Sequence, residues 1–458
     1  MRPIRRFREL GAVRPPVGTK IVVRRAVVLG GSIAGLLAAR VLSDHAADVV
    51  VIERDDPDAT GVRPGVPQAA QLHVLLDGGR VQLDRWFPGF SQEMIDAGAV
   101  LSGDGAVDMY LDGARKVPAP EEILSSSRTL LETHIRSRTL ALPNVRLVRA
   151  RACGLMFAPD RVTGARYTVD GDPQDRITDL PADLVVDAMG RSSRLGDWLE
   201  EAGWSRPPLR RIGIDLGYAT ASFSRTGDPA DVTTVHAAIQ PGGGRRPGVN
   251  VLTAVENHRW TILLSGFAAD RPTRDPEEFR ARCRELPPMF AQVADGCPLV
   301  GPVETYRQAD SRRRDFHAVS LPGGIIAVGD AVASFNPVYG QGMSSAALHA
   351  SCLSAYLRSG PAVSEPARDY FALVRLVVDA AWQTSTTNDL ALPHVDGPYP
   401  RGYRVAHRLS DLILRASVAD VEINRRFLQV THMRAHPNTL IHPGVLLRAV
   451  RTTRTRSA

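Results

Sequence analysis

Short apolar runs and helical spacing alternate near the start of the chain. Residues 26–29 and 49–52 are continuously apolar, which is typical of strands buried on both faces of a parallel sheet. Between these runs, apolar side chains recur as they do on one face of a helix. They are Ile33, Leu36, Leu37, Val41 and Leu42. The order strand, helix, strand predicts a βαβ unit.

The middle of the chain follows a different pattern. Apolar and polar positions alternate between about residues 212 and 266, and a turn at residues 256–259 divides them into a hairpin. No helical pattern separates these strands, so we expect them to form their own, largely antiparallel sheet. Residues 184–186 and the run before Gly329 return to the short apolar strands of the first part, and residues 128–140 have helical spacing.

Helices dominate the last part of the chain. Helical spacing predicts them over residues 368–384, 403–415 and 418–433. On the second of these helices, four apolar side chains share a face that we expect to pack against the protein rather than a membrane. They are Val405, Leu409, Leu412 and Ile413.

Together these patterns predict an α/β protein. Separated segments form a Rossmann-type domain, with an inserted, largely antiparallel β-sheet domain and a helical C-terminal region. The expected divisions are a flexible basic extension (residues 1–20), the first part of the Rossmann-type domain (21–205), the β-sheet domain (206–320), the second part of the Rossmann-type domain (321–360) and the helical region (361–458).

Composition narrows the functional class. The 458 residues carry a net charge of +7, but the only lysines are Lys20 and Lys116, and the arginines are not gathered on one aromatic-rich motif. We therefore expect no nucleic-acid partner. The four cysteines lack a CxxC spacing, which argues against a metal site and fits a reducing compartment. With no apolar run of membrane-spanning length and no signal-peptide core, we expect a cytoplasmic protein without stable membrane insertion.

A glycine-rich loop joins the first strand to the first helix. Gly30, Ser32 and Gly35 occupy the positions of a GxGxxG fingerprint, with serine at the second glycine. Glu53 ends the second strand at the distance expected for an acid that binds a ribose, and Arg54 follows it. A strand, loop, helix and strand ending in an acid favour dinucleotide binding over a plain βαβ turn.

Two later segments also follow a buried strand and contain an aspartate and glycines. "VVDAMGRSS" contains Asp187 and Gly190 after a buried strand, and "GDAVASFNPVYGQGM" leads from Asp330 through Pro337 into the start of a helix. Gly340, Gly342 and Met343 stand at that start. A helix that begins on bare glycines points unpaired N–H groups at whatever lies in front of it, so this loop suits an electron-rich group.

The three segments, in this order, resemble those of the group A flavoprotein monooxygenases, which have the para-hydroxybenzoate hydroxylase fold. The resemblance implies that the dinucleotide is FAD, that the Rossmann-type domain binds it and that the inserted β-sheet domain binds the substrate. It implies that Asp330 binds a ribityl hydroxyl, that Pro337 packs against the ring and that the N–H groups of Gly342 and Met343 face the pyrimidine edge.

The resemblance also suggests roles for two arginines and an aspartate. Arg63 and Arg128 match arginines that contact the cofactor. Asp187 either approaches the pyrophosphate or caps the turn after its strand. Ordinary surface arginine remains the alternative for both arginines.

Within that family, three segments resemble bacterial polyether-pathway epoxidases, which act on polyketide alkenes. They are "GVPQ" at residues 65–68, "HRWTILLSG" at residues 258–266 and "GDAVASFNPVYGQGM". Ala70 and Gln71 depart from the pattern, since basic or imidazole side chains are common there.

The implied activity uses NAD(P)H and O2 to insert one oxygen atom into an apolar secondary metabolite, by epoxidation or hydroxylation, as in antibiotic biosynthesis. Because the cofactor carries the chemistry, we assign no catalytic side chain and no metal.

Three alternatives share the fold. A flavin-dependent reductase of isoprenoid double bonds would work without O2, and a non-catalytic carrier would bind no flavin. A flavin halogenase is disfavoured because a WxWxIP element is absent and because we expect Lys20 and Lys116 to lie away from a reaction channel. The sequence does not indicate an oligomeric state.

Overall fold

The computed structural model describes residues 2–56, 65, 67–103, 105–169, 176–225 and 231–457. Its strands are β1 (Val23–Leu29), β2 (Ala46–Glu53), β3 (His73–Leu76), β4 (Val100–Ser102), β5 (Val107–Leu111), β6 (Ala114–Arg115), β7 (Ile123–Ser126), β8 (Val145–Arg149), β9 (Arg151–Phe157), β10 (Val162–Thr168), β11 (Ile177–Pro181), β12 (Leu184–Asp187), β13 (Leu209–Ser224), β14 (Thr234–Ile239), β15 (Gly248–Val255), β16 (Arg259–Phe267), β17 (Leu299–Arg314), β18 (Ile325–Ala327) and β19 (Ala333–Ser334). Its α-helices are α1 (Arg2–Leu10), α2 (Ile33–Ser43), α3 (Asp77–Trp86), α4 (Phe90–Asp96), α5 (Arg128–Leu140), α6 (Leu195–Glu201), α7 (Pro276–Arg284), α8 (Pro288–Gly296), α9 (Gln341–Arg358), α10 (Arg368–Asp389), α11 (Tyr403–Ala416), α12 (Val421–Thr431) and α13 (Pro443–Ser457).

A parallel sheet with the order β18-β12-β1-β2-β8 forms the dinucleotide-binding part. Residues 26–29 of β1 and 184–186 of β12, at the centre of the sheet, are apolar and buried, as the continuous runs predict. Leu29 at the end of β1 lies opposite Ile52 of β2 and Asp187 of β12. The three sequence segments that follow these strands and β18 therefore meet at the carboxyl edge of the sheet, where ligands of such folds bind.

An eight-stranded sheet with the order β19-β17-β13-β16-β15-β14-β5-β6 forms the second layer. Its pairs are antiparallel except β14 with β5. The predicted α/β architecture with a largely antiparallel second sheet is thus confirmed. The expected limits of that sheet, residues 206–320, omit β5 and β6 before them and β19 after them, which join it by long-range pairing that no local pattern reveals.

The expected flexible extension at residues 1–20 is partly wrong. Residues 2–10 form helix α1, with Phe7 and Leu10 fully buried. The ring of Phe7 lies 5.7 Å from that of His436, and Arg85 donates to the carbonyl of Leu10 at 2.8 Å. Basic residues cover only the outer face of this helix, so its apolar side chains anchor it to the body.

Helix α10 runs five residues beyond the predicted end at residue 384. The extra turn is polar, but its hydroxyl groups bond to carbonyls within the helix, as Thr386 does to Trp382 at 2.7 Å. This back-bonding satisfies the side chains without breaking the helix. Within the described part of the chain, none of the helices has the length and apolar character needed to cross a lipid bilayer.

Candidate functional site

A cavity of about 1550 Å³ lies between the carboxyl edge of the parallel sheet and the eight-stranded sheet. This volume exceeds that of an ordinary small-molecule pocket and gives room for two ligands. Most predicted site residues line it. They are Gly30, Ser32, Glu53, Arg54, Arg128, Gly190, Asp330, Pro337, Gly340, Gly342 and Met343.

The remaining three predicted residues stand elsewhere. Gly35 is buried inside α2 and Asp187 is fully buried behind the wall of the cavity. Arg63 falls outside the described residues.

The glycine loop fits tightly between β1 and α2. Gly30 has φ +108°, and a Cβ there would stand 2.5 Å from the carbonyl oxygen of Ala188. A Cβ on Gly35 would stand 1.8 Å from the carbonyl oxygen of Gly30, which is well inside contact distance. Gly35 therefore lets helix and loop approach each other, while Gly30 supplies a conformation that other residues rarely adopt.

Ser32 begins α2 without capping it. Its hydroxyl lies 3.2 Å from Glu132 and accepts from Arg128 at 3.1 Å, and the helix receives no side-chain cap. Arg128 and Arg136 both donate to Glu132, at 3.1 and 2.8 Å. Two guanidinium groups and one carboxylate thus leave a net positive charge beside uncapped N–H groups, an arrangement suited to a pyrophosphate.

Glu53 lies at the cavity wall, as the fingerprint predicts. Its carboxylate accepts from the backbone N–H groups of Gly31 at 2.6 Å and Asp55 at 2.9 Å. These bonds fix the side chain, and a carboxylate has further lone pairs for a ribose hydroxyl.

Asp187 caps its own turn. Its carboxylate accepts from the N–H of Met189 at 3.0 Å and from the hydroxyl of Ser193 at 2.5 Å. Burial raises the pKa of Asp187 to about 6, against the opposing effect of these bonds. Of the two roles considered for this residue, the geometry favours the turn cap.

Asp330 stands at the cavity wall with Arg191, an arginine that the sequence patterns did not indicate as a site residue. Burial raises the pKa of Asp330, while Arg191 and a hydrogen bond with Ser334 oppose the shift. Arg191 donates to Ser334 at 2.7 Å and to the carboxylate of Asp310 at 2.6 Å. Arg191 follows Gly190 directly, so its place in "MGRSS" was the available signal.

The loop before α9 projects into the cavity. Gly340, at φ +67°, is the residue before the helix and gives it no side-chain cap. A Cβ on Gly342 would meet nothing within 4 Å, so the first turn of α9 faces open space. Unpaired N–H groups of this helix start therefore point at the position where a ligand would lie.

Asp389 at the end of α10 holds this loop and was also missed. It is fully buried, and its carboxylate accepts from the side chains of Asn336 at 2.7 Å and Tyr339 at 3.0 Å. Burial raises the pKa of Asp389 to about 7, although both hydrogen bonds oppose the shift.

The opposite wall is largely apolar. Val251 and Leu263 of the eight-stranded sheet face the cavity, and the rings of Tyr218 and Tyr306 stack there at 5.8 Å. Gln71, where the sequence departs from the epoxidase pattern, is buried and accepts from Thr220 at 2.7 Å. Part of the apolar face of α11 completes this wall through Val405, Leu409 and Ile413.

The expectation that both lysines lie away from the site is wrong for Lys116. Its side chain is buried in the cavity wall, where β6 ends, because β5 and β6 join the eight-stranded sheet. The ammonium stands 4.4 Å from the ring centroid of Phe427. A lysine directly after a two-residue strand carries no periodic signal, so only the fold reveals it.

The cavity fits FAD. Close-packed glycines leave the backbone bare beside a positively charged network, and the uncapped start of α9 offers donors where the electron-rich ring edge would lie. The four cysteines are free, and the described residues contain no cluster of metal-ligating side chains.

No known protein-family model matches the chain. The chain is 33% identical over 422 residues to Protein Rv3254 of Mycobacterium tuberculosis (strain ATCC 25618 / H37Rv), with 88% of each protein covered. It is 27% identical over 450 residues to a kynurenine 3-monooxygenase of Salinispora arenicola (strain CNS-205), with 94% of this chain and 91% of that protein covered. The structure of flavin-dependent brominase Bmp2 matches with a TM-score of 0.65 at 13% identity, over 96% of this chain and 100% of that chain, a likeness in fold alone.

Relatives that span most of the chain include hydroxylases, and the fold is shared with solved flavoproteins. The protein is thus a flavin-dependent monooxygenase, an oxidoreductase that uses FAD, as the three sequence segments predict. More closely, the chain belongs to the family that contains Protein Rv3254.

Proposed function

We propose that the enzyme uses NAD(P)H and O2 to insert one oxygen atom into an apolar secondary metabolite, such as a polyketide alkene, by epoxidation or hydroxylation. One observation carries this proposal. A single cavity joins the glycine loop to the apolar wall of the eight-stranded sheet, and the start of α9 lies between them. A bound substrate would therefore meet the ring end of the cofactor.

The residues of the parallel sheet bind and orient the cofactor. Gly30 and Ser32 would offer the pyrophosphate a bare backbone beside Arg128, which donates to Ser32. Glu53, fixed by the N–H of Gly31, would accept from a ribose hydroxyl, and Asp330 would accept from a ribityl hydroxyl. The N–H groups of Gly342 and Met343 would stabilise negative charge at the pyrimidine edge. When bound, FAD supplies the activation of O2, and the chain contributes placement and charge.

The apolar wall excludes water and accepts the substrate. Val251, Leu263 and the stacked pair Tyr218 and Tyr306 present carbon surface to the cavity. Excluding water from this region favours oxygen transfer over side reactions.

Two lines of support bear on the substrate. The three segments that resemble polyether-pathway epoxidases favour an alkene of a polyketide. The names of the curated relatives, kynurenine 3-monooxygenase and ubiquinone hydroxylase UbiL, favour hydroxylation of a ring. An epoxide and a hydroxylated ring each contain one oxygen atom more than the substrate, so one experiment with both kinds of substrate tests both reactions.

The test measures NAD(P)H oxidation by the purified protein under air with panels of polyketide alkenes and phenols, followed by product mass. We expect a yellow protein, substrate-dependent oxidation and a product heavier by about 16 mass units, one oxygen atom's worth. Isotopic label from O2 should appear in the product. Asp330→Ala should weaken FAD binding, whereas Asp369→Ala, at an exposed position of α10, should not.

Two results would contradict the proposal. A product heavier by two hydrogens, formed without O2, would establish the reductase. A colourless protein that binds no FAD would establish the carrier. NADH and NADPH are compared in the same assay, since no separate nicotinamide motif distinguishes them.

A further inference from the structure

One positive charge stands in the substrate wall of the cavity. Among the described lining residues of the eight-stranded sheet, the β5–β6 hairpin and the C-terminal helices, Lys116 is the only one with a formally charged side chain. The other lining residues of this wall are apolar or neutral, as Tyr218, Val251 and Ile413 show. The carboxylate of Glu121, which does not line the cavity, compensates the charge of Lys116 only in part, since the pKa of the lysine stays lowered. Burying a charge costs free energy unless it is compensated, so this lysine calls for an explanation beyond packing.

The lysine is held in place by its neighbours. The backbone N–H of Lys116 donates to the carbonyl of Met109 at 2.7 Å, and the ammonium lies over the ring of Phe427. Burial lowers the pKa of Lys116 to about 8, although the carboxylate of Glu121 opposes the shift. Lys116 as a whole is 7% exposed, and it lines the cavity.

Two imidazoles flank the same region. His236 of β14 lies opposite Met109 and Val251, and its Nε2 is enclosed without a hydrogen-bond partner among the described residues. His432 follows α12, and its Nε2 stands 3.6 Å from the carboxylate of Glu121. Burial lowers the pKa of each histidine to about 4, so both are neutral donors or acceptors near neutral pH.

This group connects directly to the start of α9. Gln341 at the head of the helix donates to the carbonyl of Thr431 at 3.2 Å, one residue before His432. The carbonyl of His432 accepts from the N–H of Gly78 at 3.0 Å. A ligand anchored on this group would thus be held beside the part of the cavity that faces the ring.

We propose that Lys116, assisted by His236 and His432, binds an anionic oxygen of the substrate, a carboxylate or an ionised phenol. An anionic oxygen compensates the ammonium and gives the enclosed Nε2 of His236 a partner. The rest of the substrate lies along the apolar wall. The inference rests on the proposed function, because it names the chemical class of the substrate in the same cavity.

Ligand binding tests this inference without turnover. The FAD-loaded protein is titrated near neutral pH with 2-naphthoate, with 1-nitro-2-naphtholate and with the neutral 2-naphthylmethanol, following the flavin absorbance and the heat of binding. We expect at least one anion to bind about tenfold more tightly than the alcohol. Whichever anion binds more tightly identifies the source of the oxygen.

Substitution of the lysine should remove this preference. Lys116→Met is expected to weaken anion binding about tenfold or more and to leave alcohol and FAD binding within about twofold. Lys116→Arg should restore part of the preference. Lys20→Met is the matched control, since Lys20 is the other lysine and is exposed. Equal binding of anions and alcohol by the unmodified protein, or an unchanged preference in Lys116→Met, would overturn the inference.

A second measurement covers the case in which Lys116→Met fails to fold. The unmodified protein is treated with acetic anhydride, and acetylation of both lysines is followed by mass spectrometry. The tighter anion should protect Lys116 and leave Lys20 unaffected, while the alcohol should protect neither. Protection by the alcohol alone, or none, contradicts the inference. A colourless protein without oxygenase activity refutes the proposed function instead, and this protection experiment still has an interpretable outcome.

Discussion

The two ends of the cavity are built in different ways. The cofactor end depends on backbone geometry, on glycines that allow close approach and on helix starts without caps. The substrate end depends on side chains that reach one wall from distant parts of the chain, such as Lys116, His236 and Phe427. One end recognises a constant molecule through the main chain, and the other recognises a variable molecule through replaceable side chains.

This difference has a consequence for mutations. In the glycine loop of the cofactor end, a methyl group added at Gly30 or Gly35 meets backbone, which cannot move out of the way. At the substrate end, the added atoms of a larger side chain occupy empty space in the cavity and displace substrate rather than protein. Substitutions should therefore separate folding, cofactor binding and substrate binding.

The largest effect is expected for Gly35→Ala. The added Cβ would stand 1.8 Å from the carbonyl oxygen of Gly30, so the loop or helix α2 must shift. We expect a loss of about 3 kcal/mol or more in the free energy of unfolding, with loss of FAD retention. Urea unfolding measures the free energy of unfolding, and the ratio of flavin to protein after purification measures FAD retention. Gly296→Ala, in α8 with nothing within 4 Å, should change neither; equal behaviour of the two variants would show that close packing is not the role of Gly35.

The next effect is expected for Arg128→Met. Glu132 keeps Arg136 as a partner, so the fold should persist while the positive charge beside Ser32 is lost. We expect FAD affinity to fall by about tenfold to a hundredfold. Fluorescence titration of the apoprotein measures it. Arg138→Met on the same helix, whose arginine pairs with Glu93, is the control. Unchanged affinity in Arg128→Met would place the pyrophosphate elsewhere.

These two predictions concern the end of the cavity that the sequence describes best. The βαβ unit, helix α5 at residues 128–140 and the hairpin turn at residues 256–259 were predictable because local spacing determines them. The glycine loop and Glu53 were equally visible, since fixed distances along the chain place them at one sheet edge.

The other end was not predictable in the same way. Lys116, His236 and His432 have no common spacing and meet only because β5 pairs with β14 and α12 covers the hairpin. Asp389 was missed because the predicted helix ends at residue 384, and an aspartate beyond a helix looks like a surface residue. Long-range packing decides such positions, and a local pattern contains no information about it.

A smaller effect, limited to substrate, is expected for Leu263→Trp. Leu263 lies between Thr220 and Val251 on the sheet and faces the cavity. The indole would occupy substrate space, so we expect the affinity for bulky substrates to fall about tenfold while FAD affinity stays within about twofold. Arg259→Trp, at the exposed start of the same strand, should alter neither. A matching loss of FAD affinity would mean that the two ends are not independent.

The smallest effect on ligand binding is expected for Asp389→Asn. This substitution should instead change how the free energy of unfolding depends on pH. Because the pKa of Asp389 is raised from 3.8 to about 7 in the folded protein, the folded state holds a proton that the unfolded state releases between these values. This carboxyl therefore makes the free energy of unfolding fall as pH rises from about 4 to about 7, by up to about 1.4 kcal/mol per pH unit. Asparagine keeps an acceptor for Asn336 and Tyr339 and removes this pH dependence. The variant should therefore gain stability relative to the unmodified protein as pH rises from about 4 to about 7.

Urea unfolding at a series of pH values measures the difference in stability between the two proteins, with Asp369→Asn on the same helix as the control for lost charge. If the difference between the two proteins does not change with pH, the carboxyl is ionised in the folded state, and the loop before α9 is held by a charge rather than by a neutral acid.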